Sequence, residues 1–94
     1  MRIKVMIIEF DLPGCRSLKE KRSRLGGLRE RFGKKTNLAV TECGGQDNHG
    51  YARYAFVAAA SDAVAVERIL SGVEDKVEEV VDAYVSDSYR EELV

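Results

Sequence analysis

Residues 12–22, with the sequence LPGCRSLKEKR, join an apolar strand pattern to a basic helix pattern. Pro13 and Gly14 end the strand, because proline has no N–H for a strand ladder and glycine favours a turn. Ser17 has the side chain of a helix N-cap, and Glu20 three residues later completes the spacing of a capping box. We therefore predict a strand that stops at this turn and a helix that starts just after Ser17.

Strand composition precedes this turn and recurs twice in the middle of the chain. Residues 2–12, 36–43 and 51–60 are rich in β-branched, aromatic and small apolar side chains. The first run is apolar on both alternating faces over its first half, which is typical of a central strand. Residues 44–50 separate the other two runs as a polar loop that is longer than an ordinary hairpin turn, and loops of this length often carry function.

Two helices are predicted from a periodicity of 3.6 residues. The first, over residues 18–32, places four apolar side chains within about 80° of a helical wheel: Leu18, Leu25, Leu28 and Phe32. Ser61 is the expected N-cap of the second helix, whose apolar positions run from Val66 to Val80. Beyond residue 79 the composition shifts back to strand, and we expect residues 87–94 to form a polar strand end or tail.

The resulting order is β-α-β-β-α-β, which predicts an α+β fold of the ferredoxin-like kind. This fold has a four-stranded antiparallel sheet with two helices on one face. Right-handed crossovers place the first and third strands in the centre of the sheet. The chain has 94 residues, so we predict a single ferredoxin-like domain over residues 1–94.

The composition is that of a globular protein, with 45% hydrophobic and 33% charged residues. No apolar run approaches the roughly 18 residues of a membrane-spanning helix, and the first residues follow a strand pattern without a signal-peptide core. The two cysteines show no CxxC spacing, so reduced thiols are expected. These features predict a cytoplasmic protein with no membrane partner.

Charge is strongly segregated along the chain, although the net charge is only −1. Residues 16–35 hold nine basic and two acidic side chains, a balance of +7, whereas residues 62–94 hold ten acidic and three basic side chains, a balance of −7. Such a separation lets one face meet nucleic acid while the molecule stays near neutral. It equally lets oppositely charged faces of two copies attract each other.

The LPG of residues 12–14 and the SLKEKR of residues 17–22 resemble the YlxP-like proteins, a family of small bacterial proteins of undetermined function. Glu42 and the pair Gln46-Asp47 extend the resemblance. It implies a ferredoxin-like fold, in agreement with the pattern analysis. Genes of this family are often found among those of translation factors, which implies a role near the ribosome.

Lys21 is the one cation that falls inside the apolar stripe of the first helix, and a cation there needs a partner. Glu42 is the natural one, because it shares a strand face with Leu38 and Val40 and lies near the same end of the sheet. We predict a structural ion pair between Lys21 and Glu42, with Arg22 as the alternative donor.

Metal binding and catalysis find little support in the sequence. Cys15, Cys43, Asp47 and His49 have the right chemistry for zinc and gather at one end of the predicted sheet, but their spacing matches no metal motif. Whether Cys15, Cys43 and His49 form a site stays open, and we predict no metal or cofactor. The chain also lacks a catalytic triad, a P-loop and an acid/base pair, so an enzyme is not the favoured interpretation.

The predicted helix-free face of the sheet carries an apolar set that needs a cover. We predict that this face forms the interface of a homo-oligomer, most simply a two-fold dimer. The predicted interface residues are Ile3, Val5, Ile7, Tyr51 and Val57.

Three functional hypotheses follow, and the favoured one is a non-enzymatic protein that associates with ribosomal RNA or the ribosome through its basic first helix. A homo-oligomeric module that binds a small ligand, or regulates, near the start of that helix is the alternative. An acylphosphatase-like hydrolase comes third, because residues 13–16 lack the glycine-rich phosphate loop of those enzymes. The side chains expected to bind RNA or another anion are Arg16, Ser17, Lys19, Arg22, Arg24 and Arg31.

Overall fold

The computed structural model describes residues 1–94 and contains four strands and three helices. In chain order these elements are β1 (Arg2–Asp11), α1 (Leu18–Arg24), α2 (Leu28–Phe32), β2 (Leu38–Gly44), β3 (Tyr51–Ala60), α3 (Ala63–Val80) and β4 (Tyr84–Glu92).

The four strands form one antiparallel sheet in the order β2-β3-β1-β4. Val5 on β1 lies opposite Val57 on β3, and this register continues over the full length of both central strands. The predicted α+β architecture, with the first and third strands in the centre, is therefore confirmed. β4 pairs with β1 from Asp11↔Tyr84 to Lys4↔Glu92, so the strand end predicted after residue 87 is confirmed as far as Glu92.

The core lies between the sheet and the helices, all of which cover the same sheet face. Alternate residues of the central strands, such as Phe10 and Phe56, point toward the helices and are fully buried. Phe32 of α2 meets the Phe56 ring edge-on, with 5.9 Å between the ring centroids. From α3 the core receives the stripe of Val66, Leu70, Val73 and Val77.

The first predicted helix is wrong as a continuous element, because the chain breaks it after Arg24. Gly26 and Gly27 have φ values of 68° and 64°, a left-handed conformation that glycine adopts without steric cost. A Cβ on Gly26 would lie 2.8 Å from the Val80 carbonyl oxygen, so the bend also brings the chain close to the end of α3. The apolar stripe is interrupted as a result, and Leu18 is 45% exposed.

The N-cap of α1 is the residue predicted from the sequence, whereas the N-cap of α3 differs from the prediction by one residue. Ser17 caps α1 as predicted, its Oγ accepting a hydrogen bond from the Glu20 N–H at 3.0 Å. The predicted cap of α3, Ser61, is wrong, because Asp62 Oδ1 accepts from the Ala65 N–H at 2.8 Å. Both residue types suit an N-cap, and the apolar periodicity that follows does not fix the first turn.

The fold places the two oppositely charged segments side by side. α2 packs on β2, at one edge of the sheet, whereas α3 packs on β3 and β1, and β4 forms the other edge. None of the helices is both long and apolar enough to cross a bilayer. The site described next lies on the side formed by α1, α2 and the loop between β2 and β3.

Candidate anion-binding surface of the first two helices

Most of the basic side chains in residues 16–35 are free on the surface. Of the nine, Lys21 and Arg24 are held by contacts within the chain, which leaves seven that are exposed and have no ion-pair partner. We call these seven the basic surface: Arg16, Lys19, Arg22, Arg29, Arg31, Lys34 and Lys35.

Lys21 is the buried exception, and only 4% of its surface is exposed. Its ammonium donates to the carbonyl oxygens of Gly45 at 2.7 Å and Asn48 at 3.0 Å. The predicted partner is also present, because Lys21 Nζ lies 2.9 Å from Glu42 Oε2. That carboxylate oxygen is buried without a well-aligned hydrogen bond, so the contact is an ion pair held by charge. All three donors of the ammonium are thus directed at β2 and the loop that follows it.

A pocket of about 100 Å³ opens beside this pair, between α1, α2 and the sheet. Arg22, Arg29 and Glu42 line it together with Tyr54 and Gln46. Burial raises the pKa of the Tyr54 hydroxyl to about 12, and the Glu42 carboxylate adds to the effect, so the hydroxyl keeps its proton. The volume lies below the roughly 300 to 1,000 Å³ that is usual for small-ligand sites, so the pocket is too small for a nucleotide.

Arg24 does not belong to the free surface, although the sequence analysis assigned it to the RNA-contacting set. Its guanidinium donates to the carbonyl oxygens of Asp82 at 2.9 Å and Pro13 at 3.0 Å. The Asp82 N–H returns a hydrogen bond to the Arg24 carbonyl. Arg24 therefore ties the turn after β1 to the connection between α3 and β4.

The candidate metal ligands are dispersed in the structure. Cys15 is buried, with its Sγ 3.4 Å from the Ser17 carbonyl oxygen, whereas Cys43 is exposed on β2 beside Arg53. The structure contains no group of three or more His, Cys, Asp or Glu side chains that could hold a metal ion.

The predicted interface residues all lie on the helix-free side of the sheet. Ile3, Val5 and Ile7 follow one another along β1, next to Val57 on β3. Tyr51 closes one end of this row, where its hydroxyl donates to the Glu9 carboxylate and that hydrogen bond raises the tyrosine pKa.

The polar end of this face also contains a contact that the sequence analysis missed. Arg53 donates to the Tyr89 hydroxyl at 2.8 Å, so β3 and β4 are linked across β1. Residues 87–94 were expected to be a strand end or tail, and only the pairing of β4 with β1 brings Tyr89 within reach.

Comparison with known families gives one match. Residues 3–90 match a family described as "Protein of unknown function (DUF503)". The chain belongs to the DUF503 family. The matched range includes the basic surface, the Lys21–Glu42 pair and both cysteines. Among curated proteins, none matches the chain. The DUF503 description assigns no activity, and the narrower resemblance to the YlxP-like proteins stays a prediction.

A larger concavity in this DUF503 protein lies between α2 and α3 and was not predicted. It brings Arg31 and Lys35 of the basic surface close to Arg68 and Lys76 of α3. The sequence of α3 belongs to the acidic segment of residues 62–94, so its composition alone does not predict a basic groove. This groove is therefore a second region of concentrated positive charge, to which both α3 and the basic surface contribute.

Proposed function

We propose that this DUF503 protein associates with RNA, most simply ribosomal RNA, through its basic surface and catalyses no reaction there. The observation that carries the proposal is the set of seven exposed cations without ion-pair partners. Exposed cations that have no acidic partner within the chain can each neutralise a phosphate of a polyanion.

The physical basis of such an association is counterion release. Each lysine or arginine that neutralises a phosphate frees condensed cations, which makes affinity fall linearly with salt on a log–log scale. The basic surface offers guanidinium groups that bind phosphate oxygens through two parallel hydrogen bonds. It carries no aromatic side chain for base stacking, so we expect little dependence on RNA sequence.

The acidic side chains of β4 lie away from the basic surface. The acidic side chains Asp87, Glu91 and Glu92 lie on β4, at the sheet edge opposite to β2. The implied gene neighbourhood of the YlxP-like proteins favours the ribosome as the place where such RNA is met. Together these features favour docking on a phosphate-rich surface over wrapping by a strand.

The test is binding of a structured ribosomal RNA fragment, followed by fluorescence anisotropy between low and high salt. The variant carries Arg16→Glu and Lys19→Glu, two exposed positions near the start of α1 where acidic side chains favour the helix. We expect the log–log salt slope to become shallower by roughly 0.7 to 0.9 for each lost phosphate contact.

Arg2→Glu is the matched control, because Arg2 is an exposed cation paired with Glu92 outside the basic surface. It should leave the slope unchanged. A wild-type protein that neither binds the fragment at low salt nor co-sediments with ribosomes contradicts the proposal.

The helix-free face supports a second proposal, self-association of two copies. Ala55 and Ala59 of β3 add small apolar side chains beside Ile3, Val5 and Val57. Antiparallel sheets pack face to face at about 10 Å, and a two-fold axis lets the same patch cover itself. The occupant of this face is then a second copy of the chain.

A further inference from the structure

The groove between α2 and α3 is the largest concavity described above, with a volume of about 530 Å³. This lies within the range of roughly 300 to 1,000 Å³ that is usual for small-ligand sites. Four apolar side chains line it: Phe32, Leu38, Ile69 and Val73. A ligand of moderate size therefore finds both room and an apolar floor.

Four cations surround this floor, and no acidic side chain lines the groove. Arg31 and Lys35 come from α2 and the turn after it, whereas Arg68 and Lys76 come from α3. α3 contains five acidic residues, and Arg68 and Lys76 are its only basic ones. Both of its basic residues thus line the groove.

The spacing on α3 explains how the groove stays open. Arg68, Gly72 and Lys76 are four residues apart and share one helix face. A Cβ on Gly72 would meet nothing within 4 Å, so the glycine leaves free space between the two cations. Glycine inside a helix costs about 0.5–1 kcal/mol relative to alanine, and nothing in the packing around Gly72 requires it.

The cations are available to a ligand. Arg31, Lys35 and Arg68 have no ion pair, and Lys35 Nζ lies 5.8 Å from the centroid of the Phe32 ring, above the floor. Lys76 contacts Glu79 at 3.3 Å, but both side chains are exposed, and such surface pairs contribute about 0–1 kcal/mol. A multiply charged anion competes easily with that contact.

We propose that the α2–α3 groove binds a nucleotide, whose phosphate lies among the four cations and whose nucleoside lies on the apolar floor. The Thr36 hydroxyl at the rim offers a further hydrogen bond. The same chemistry comes from a free mononucleotide or from one nucleotide of an RNA chain. In the second case the inference rests on the proposed function and extends the RNA contact onto α3.

The test is isothermal titration calorimetry with AMP and UMP, and with a short single-stranded oligouridylate as the RNA source. Gly72→Leu fills the groove without changing any charge and replaces a poor helix former by a good one. We expect it to weaken nucleotide or oligonucleotide binding at least tenfold, while circular dichroism stays unchanged. Gly72→Ala is the matched control and should retain binding.

A second variant, Arg68→Ala with Lys76→Ala, removes charge and leaves the groove open. It should also weaken binding at least tenfold, and adenosine, which lacks the phosphate, should bind at least tenfold more weakly than AMP. Binding of AMP identifies a free nucleotide as the source, whereas binding of the oligonucleotide alone identifies RNA.

The outcomes separate this inference from the proposed function. RNA affinity that survives Gly72→Leu but falls with Arg16→Glu and Lys19→Glu, with no mononucleotide binding, overturns the groove assignment alone. Mononucleotide binding that Gly72→Leu abolishes, in a protein without RNA affinity, supports the groove and overturns the RNA proposal.

Discussion

Lys21 attaches α1 to the rest of the fold, a role that a buried apolar side chain usually has. Within its bounds the helix buries no other side chain, and Leu18, at its first position, is largely outside the core. The helix is instead fastened by the ammonium contacts to Glu42, Gly45 and Asn48. A buried charge is tolerated here because the ammonium donates to two carbonyl oxygens and lies against the opposite charge of Glu42.

Glu42→Gln should therefore lower the free energy of unfolding by about 1–3 kcal/mol, because it leaves a buried ammonium without its counter-charge. The carbonyl oxygens of Gly45 and Asn48 still accept hydrogen bonds from the ammonium, so the loss of stability is smaller than for a buried charge without any partner. Urea unfolding measures the effect, and Glu30→Gln, at an exposed carboxylate of α2, serves as the control. Equal stability of Glu42→Gln and wild type would show that the pair is not structural.

The sequence could predict this pair but not the contacts of Arg24. Lys21 stands out because a charge within an apolar stripe is a local conflict, and strand alternation names Glu42 as the partner that resolves it. Arg24 gives no such signal. Its acceptor at Asp82 is a backbone carbonyl 58 positions away, and carbonyls carry no side-chain pattern from which to predict them.

At the scale of elements, the two glycines between α1 and α2 decide the path of the chain. Periodicity places the apolar residues on both sides of them in one stripe, so the sequence favours a single helix. The close approach to the Val80 carbonyl favours a left-handed bend instead. Tertiary contact thus overrides a local pattern, and only glycine fits the result.

The sign of the stability change in Gly26→Ala distinguishes a continuous helix from the bent structure. In a continuous helix it would stabilise the protein by up to about 1 kcal/mol. In the bent structure it should destabilise by at least that amount, because alanine is strained at positive φ and its Cβ collides with Val80. Thermal melting gives the sign, and Gly72→Ala, at an open position of α3, should stabilise. A gain in melting temperature for Gly26→Ala would contradict the bend.

α3 is held on the sheet by charge as well as by its apolar stripe. Glu67 accepts hydrogen bonds from Lys4 on β1 and Arg90 on β4. The hydrogen bond from Lys4, together with that from Arg90, holds the pKa of Glu67 below its ordinary value of 4.5. Folding therefore favours the ionised carboxylate.

The sign of the pH dependence follows from this lowered pKa. Above pH 4.5 the stabilisation is fully present, and it disappears as the pH falls through the folded-state pKa. Glu67→Gln should accordingly cost more stability at pH 6 than at pH 3, measured by urea unfolding at both pH values. An equal cost at the two pH values would assign the effect to packing and not to charge.

At the scale of the whole molecule, the strand order could be predicted because alternation and right-handed crossovers leave few arrangements. The α2–α3 groove could not, since it depends on how two helices of opposite net charge are placed beside each other on the sheet. Arg68 and Lys76 look like ordinary surface residues until α2 is placed beside them.

Val5→Lys tests self-association through the helix-free face. A lysine at the centre of the Ile3, Val5, Val57 patch would bury a charge in an apolar interface, so the protein should become monomeric while remaining folded. Analytical ultracentrifugation and circular dichroism measure both properties. Thr41→Lys, at an exposed position of β2 on the same face, is the control at the rim of the patch. A wild-type protein that is monomeric at high concentration would end the proposal.

The separation of charge between the two sheet edges affects how this protein binds to charged surfaces. β4 is three strands from β2, which is about 14 Å, and the Debye length at physiological ionic strength is only about 8 Å. The electrostatic interaction between a charged surface at one edge and the charges at the other edge is therefore largely screened. The isoelectric point of about 5.8 that the sequence gives predicts retention on an anion exchanger at pH 7, whereas the electric dipole of the molecule predicts retention on a cation exchanger too.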